Sequence, residues 1–174
     1  MVHEWGIIMD SIDPISKRVS IREYDSREIP EEVLRKILEA GRIAPSAMNY
    51  QPWKFVVVRD SSRRKNLSHG RYAKFLTECP VVIVGCGNKK RSPEWYTVDV
   101  TIALQNMVTQ ATAEGLGSCW IGSFDEDTVK AAIKVPEDHA IVAMLAIGYP
   151  KDGKRKIAHK RKSFDEIVSF EDFS

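Results

Sequence analysis

The hardest demand this chain makes on any fold comes from one helical segment. Ser92-Pro93-Glu94 supplies a cap, a first-turn proline and an acid matched to the helix dipole, and the helix they open is expected to reach about Glu114. Its apolar positions Val98, Val100, Ile102, Ala103, Leu104, Met107, Val108 and Ala111 run round most of the circumference. A helix apolar on nearly all sides must be buried on nearly all sides. A chain of 174 residues has little mass to supply that burial from within. This helix is therefore a candidate contact with a second copy of the chain. Gly115-Leu116-Gly117 stops it.

The other elements follow from periodicity and punctuation. A helix is expected from Pro30 to about Ala40: proline suits its first position, Glu31 and Glu32 complement the dipole, and Val33, Leu34, Ile37 and Leu38 form one apolar stripe that covers a sheet. Residues 55–58 and 81–84 read as buried strands, with helix between them around 61–77. Residues 118–121 read as a short strand, Asp125 caps a helix that ends before Pro136, and 141–147 form a further buried strand. A short helix is expected near 164–168. Strands separated by helices point to a single α+β or α/β domain with a mixed central sheet, whose strand order the pattern leaves open. A domain of this length can remove about 70% of its unfolded surface from water.

Composition narrows the class. With 43% hydrophobic and 29% charged residues the chain is that of a globular protein rather than a disordered one. The apolar stretch at 5–12 is far short of the roughly 18 residues that cross a bilayer, and it lacks the features of a signal peptide. A cytoplasmic location without membrane contact is the expectation. Cys79, Cys86 and Cys119 include no Cys-x-x-Cys pair, and read as reduced, buried hydrophobes. Cys119 has no His or basic neighbour in sequence to activate it. The net charge of +2 does not argue for nucleic acid. The basic clusters at 63–65, 89–91 and 151–162 read first as solvated surface and second as contacts for a phosphate-bearing small molecule.

Three segments carry the chemistry. In an extended Arg18-Val19-Ser20-Ile21-Arg22, the two arginines and the serine share one face, which suits an anion, although an edge strand with arginines on its wet side explains the pattern equally well. In residues 45–55, two prolines bracket a polar run before a buried strand, so amides and a hydroxyl are held in fixed directions toward a heterocycle. An ordinary helix-to-strand connection with Trp53 as a core plug is the plainer reading. In Gly115-Leu116-Gly117-Ser118-Cys119-Trp120-Ile121-Gly122-Ser123, glycines let a flat ligand lie against the main chain. This segment is no dinucleotide fingerprint, since a helix precedes it and a strand follows; Gly85-Cys86-Gly87 has Lys90 where the third glycine belongs. His3, His69, His139 and His159 are scattered in a way that speaks against a metal site. With no nucleophile elbow or phosphate-transfer loop either, a redox cofactor is the natural source of chemistry.

In this order and at these separations, the three segments resemble those of the nitroreductase family. Residues 18–22 are similar to its R-x-S-x-R stretch, 45–55 meet its P-S-x-x-N-x-Q-P-W-x-F loop without a departure, and 115–122 meet G-L-G-x-C-W-I-G. Asp99 and Asn106 also fit the family pattern. The resemblance implies a mixed, mainly antiparallel sheet flanked by helices, and an intertwined homodimer with FMN in each interfacial cleft. It assigns the phosphate to Arg18 and Ser20 with the main chain at Val19, a charge on the N1–C2=O side of the ring to Arg22, and a second phosphate contact to Arg161. Pro45, Ser46, Ala47, Met48 and Asn49 would approach from the partner, Trp120, Ile121, Gly122 and Ser123 would lie along the N5 edge, and Lys74 would contact the pyrimidine edge. The implied activity passes hydride from NADH or NADPH through flavin N5 to a small organic acceptor, a nitroaromatic or quinone, in ping-pong fashion. Arg22 would tune the flavin and the backbone at Gly122 would guard N5. A flavin-binding module without turnover is the alternative.

Overall fold

The computed structural model describes residues 12–70, 73–153 and 160–173; residues 5–11 of the apolar N-terminal stretch, His3, His159 and the middle of the 151–162 basic run lie outside them. Strands β1 (Trp53–Val58), β2 (Val81–Asn88), β3 (Gly117–Ile121) and β4 (His139–Gly148) form one sheet in the order β1-β2-β4-β3. Every neighbouring pair is antiparallel. A parallel component enters only as an isolated bridge between Ser20 and Ser118. With helices α1 (Ile12–Lys17), α2 (Glu31–Arg42), α3 (Ser61–Leu67), α4 (Tyr96–Ala113) and α5 (Glu126–Ile133) packed around it, this is the α+β arrangement that the alternation of elements implies.

Strand β2 is buried along all but its last residue, and β4 over most of its length. Strands covered on both faces read as continuous apolar runs without alternation, so the sequence reveals their centres and not their ends. On one face of the sheet Val82, Val84, Met144 and Ala146 pack with Leu67 of α3, Leu76 and Val129 of α5. On the other, Ile83, Leu145 and Ile147 pack with Leu104, Met107 and Val108 of α4 and Leu34 and Ile37 of α2. Helix α2 lies mainly against α4 rather than directly on the strands.

Helix α4 crosses β2 at very short range. A methyl group on Gly85 would fall 2.7 Å from Leu104 Cδ1, and one on Gly87 would fall 2.6 Å from Tyr96 Cδ2. The glycines of Gly85-Cys86-Gly87 therefore serve packing. The helix begins at Tyr96, later than Ser92-Pro93-Glu94 suggests, because the Ser92 hydroxyl bonds the Asp99 carboxylate instead of capping backbone amides. It ends as the glycine at 115 requires: Gly115 has φ +80°, Leu116 N–H donates to Ala111 O, and Gly115 N–H donates to Thr112 O. This is a Schellman closure, with Leu116 buried beyond it.

Two expected helices are shorter or missing. The 61–77 segment divides into α3 and a single 3₁₀ turn at Lys74–Thr77, since its polar run offers too little apolar surface to hold one continuous helix. Near 164–168 the chain makes one turn, with Ile167 and Val168 amides on Phe164 O. Asp125 caps α5 by accepting from Thr128 N–H at 2.8 Å, as read from sequence. Among the described residues no helix is long and apolar enough to cross a membrane, and no three His, Cys, Asp or Glu side chains gather as a metal would require.

Leu104 is fully buried between α4 and the sheet. Leu104→Ala is expected to cost about 2–5 kcal/mol, read as a lower urea midpoint with an unchanged slope.

Candidate functional site

Residues 18–22 dock on β3. Ile21 N–H donates to Ser118 O at 2.9 Å, and Ile21 and Val19 turn into the core. Tyr24 closes the corner behind them: its hydroxyl donates to Ile21 O at 2.6 Å and lies 3.3 Å from Ala146 O, and burial raises its pKa well above the ordinary phenol value. The phenol thus stays a hydrogen-bond donor. Between and beside these apolar residues, Arg18 and Ser20 are half-buried and Arg22 is exposed.

These three side chains converge on one neighbour that sequence adjacency does not reveal. Cys119 of β3 is buried, and burial raises its thiol pKa, while Arg22, Arg18 and a hydrogen bond from Ser20 each act to lower it. The basic groups absent from its sequence neighbourhood are therefore supplied from 97 or more residues away, and still burial wins. Arg18 and Arg22 themselves have no carboxylate partner among the described residues, whereas Arg27, Arg42 and Arg59 are paired with Asp25, Glu39 and Glu31.

At the end of β3 Trp120 is half-buried and Ile121 buried, and beyond it Gly122 and Ser123 are exposed. A methyl group on Gly122 would meet nothing within 4 Å, so the main chain there faces open space. Gly70 adjoins this point, since a methyl group on it would fall 2.3 Å from Ser123 O. Lys74 is exposed in its 3₁₀ turn. Arg161 is also exposed, in the irregular tail 160–173.

The 45–49 segment hangs from a different element. Ala47–Asn49 form a 3₁₀ turn whose Ala47 N–H donates to Asp99 Oδ1 of α4 at 2.9 Å. Gln51 N–H donates to Ser46 Oγ at 2.9 Å, Gln51 Nε2 donates to Asn49 Oδ1 at 3.0 Å, and Arg91 Nε donates to Tyr50 O. Met48, Asn49 and Gln51 have φ of 49°, 54° and 47° without a glycine among them. Left-handed backbone at such residues costs about 1–3 kcal/mol each and persists only where surrounding contacts impose it. One chain thus gathers 18–22, Gly70 and 120–123 at β3 and its end, and holds 45–49 on α4.

Asp99 is the member to which motif reasoning assigned no task, and Ser92 reads in sequence only as a helix cap. A usable signal did exist. A carboxylate flanked by Val98 and Val100 in an apolar helix is costly unless bonded, and Ser92 stands two helical turns before it.

Comparison with known proteins places these segments in a wider set. The family model described as "Nitroreductase family" matches residues 15–69 and 62–149. The chain is 36% identical to a protein of Archaeoglobus fulgidus provisionally named NADH dehydrogenase/NAD(P)H nitroreductase, over 80% of this chain and 85% of that one. It is 31% identical to an NADH dehydrogenase of Thermus thermophilus, over 83% of this chain and 89% of the relative. The fold superimposes on an FMN-dependent nitroreductase of Clostridium difficile with a TM-score of 0.85 and 31% identity, covering 93% of this chain and 99% of that structure.

Burial pushes Cys79 up to about 12 and Cys86 up to about 11, and raises Cys119 as well. Native protein at about pH 8 is expected to show no fast thiol toward Ellman's reagent and all three after unfolding. Because these folded-state values lie above the unfolded value of about 8.5, the associated stability is whole below that pH. It declines as the pH rises through the folded values, which urea midpoints taken across alkaline pH would record.

Proposed function

Because the chain belongs to the nitroreductase family, we propose that it is an FMN-dependent oxidoreductase, taking electrons from NADH or NADPH and delivering them to a small organic acceptor such as a nitroaromatic or a quinone. The observation that carries this reading is the gathering of Arg18, Ser20 and Arg22 beside Cys119 of β3, the two arginines without carboxylate partners among the described residues. Two such guanidinium groups and a hydroxyl suit a phosphate dianion. Just past the end of β3, the open main chain at Gly122 suits a flat ring. The residues present therefore fit a ligand that is phosphate at one end and planar at the other.

Bound FMN supplies the two-electron chemistry between nicotinamide and acceptor. The chain's part is to hold and tune. Arg18 and Ser20, with the main chain at Val19, grip the phosphate; Arg161 adds a second cation. Arg22 sets a fixed positive charge against the electron-rich ring and so favours reduction. Trp120, Ile121, Gly122 and Ser123 offer backbone groups to the ring, and Lys74 a further donor. No acid or base of the chain is required for the reductive half.

The same reading includes a homodimer of single-domain subunits. Trp95 and Val98, 51% and 46% exposed, line a groove of about 300 Å³ together with Pro45, Ala47 and Ile102, and Ile43 and Met48 are 63% and 82% exposed. Phe164, Ile167 and Phe170 are also more than half exposed. Covering such a side chain is worth about 1.5–3 kcal/mol each, enough in sum to drive association. A second copy seated on α4 would bring its own 18–22 segment toward the 45–49 turn and complete each site from two chains. We place the enzyme in the cytoplasm.

Purified protein is expected to be a yellow dimer whose colour bleaches when NADH or NADPH is added without oxygen. Arg18→Ala is expected to weaken FMN binding about 10- to 100-fold, the loss of a charge-assisted hydrogen bond worth about 1.5–3 kcal/mol. Arg22→Ala is expected to slow bleaching more than it weakens binding. A colourless monomer indifferent to added FMN would overturn the reading. A yellow protein that neither nicotinamide reduces would be a flavin-binding module without turnover.

A further inference from the structure

Asp99 sits in the first turn of α4, only 2% exposed, with apolar Val98 and Val100 on either side of it in the chain. No cation pairs with it among the described residues. Its Oδ1 accepts the Ala47 amide at 2.9 Å and its Oδ2 accepts the hydroxyl of Ser92, itself 1% exposed, at 3.2 Å. The positive end of the 18-residue helix α4 provides the remaining compensation. A buried carboxylate is expensive to keep, and the core around α4 would pack as well or better with an apolar side chain. What this one does is fix the first amide of an exposed turn.

That turn is unusual in two respects. Three of the four residues 48–51 hold left-handed backbone without glycine, and the first of them, Met48, is 82% exposed. No buried side chain from 45 to 51 requires this conformation for the core. The strain is therefore maintained by bonds from below: Asp99 at Ala47, Ser46 at Gln51, and Arg91 at Tyr50. Of these, only the Asp99 bond originates in the rigid interior.

We propose that Asp99 is a positioning residue for the cofactor site, imposing from the interior of α4 the strained geometry in which the 45–49 turn meets the partner subunit's FMN. The role rests on the reading that this turn faces the flavin across a dimer. Asp99 acts through Ala47 and touches neither cofactor nor substrate. Preorganisation is the gain, because a turn already held in its bound shape loses less freedom when the ligand arrives.

The test compares the full-length wild type with Asp99→Ala, Asp99→Asn and Leu104→Ala, the last weakening α4 without touching the turn. FMN affinity is read by flavin fluorescence quenching, and backbone order at 47–51 by hydrogen exchange on cofactor-free protein. Asp99→Ala is expected to raise the FMN dissociation constant at least about 10-fold and to accelerate exchange at 47–51. Asp99→Asn is expected to stay within about 3-fold of wild type, because its amide oxygen still accepts from Ala47 and its NH₂ can donate to Ser92 Oγ. Leu104→Ala is expected to lower the melting temperature while leaving both readouts near wild type. Should Asp99→Ala not fold, Ala47→Pro deletes the donor from the turn side at a position that tolerates proline, and is expected to match it in both readouts. Unchanged exchange at 47–51, or accelerated exchange with wild-type FMN affinity, in a wild type that does bind FMN, would overturn the role of Asp99 alone. A wild type that takes up no FMN would overturn the cofactor reading and this role with it.

Discussion

Helix α4 lies close against the sheet because β2 carries no side chain where the helix crosses it, at Gly85 and Gly87. From that close approach follow the complete burial of Val100, Leu104, Met107, Val108 and Ala111, and the tight stacking of α2 on the helix's flank. An α4 held farther away would leave voids between the helix and the sheet, and interiors tolerate few of these. The same contact also fixes the azimuth of the helix. With one side committed to the sheet, Trp95 and Val98 face outward, and Asp99 comes to lie beneath the turn that precedes β1.

The second anchor is smaller and lies at the opposite sheet edge from β1. Tyr24 and the Ile21–Ser118 bond fasten an otherwise irregular segment beside β3, and with its apolar residues in the core its two arginines lie near Cys119. Two guanidinium groups without a carboxylate partner among the described residues, held on a fastened backbone, are electrostatically unfavourable until an anion arrives. If the proposed phosphate binds there, much of the affinity is prepared in the absence of ligand, in the manner of preorganised electrostatic sites generally. The buried Cys119 beside them shows the same field from the protein side, its burial opposed by the two arginines.

In the proposed assembly these two anchors belong to different copies at any one site. The 18–22 segment depends on β3 and the 45–49 turn on α4, so neither element must bend to meet the other within one chain. Clefts between subunits are frequent homes for cofactors, being concave and shielded without a cavity in either core. The division also assigns distinct kinds of work: charge from the two arginines, shape from the strained turn.

Much of this was legible in the residues before any coordinates. The stripe Val33, Leu34, Ile37 and Leu38, the cap at Asp125, the stop at Gly115 and the apolar centres of β2 and β4 all act through contacts a few residues apart, where backbone sterics and side-chain periodicity leave little choice. The alternation in residues 18–22 likewise set its apolar residues apart from its polar ones. Only the tertiary structure decided that β4 lies between β2 and β3, that Ser92 bonds Asp99 instead of capping the helix, that Arg18 and Arg22 meet Cys119, and which side of α4 remains open. Those outcomes depend on which apolar surfaces remain to be covered once every local preference is satisfied. Residues a hundred positions apart compete for that surface, and no window along the chain contains both competitors.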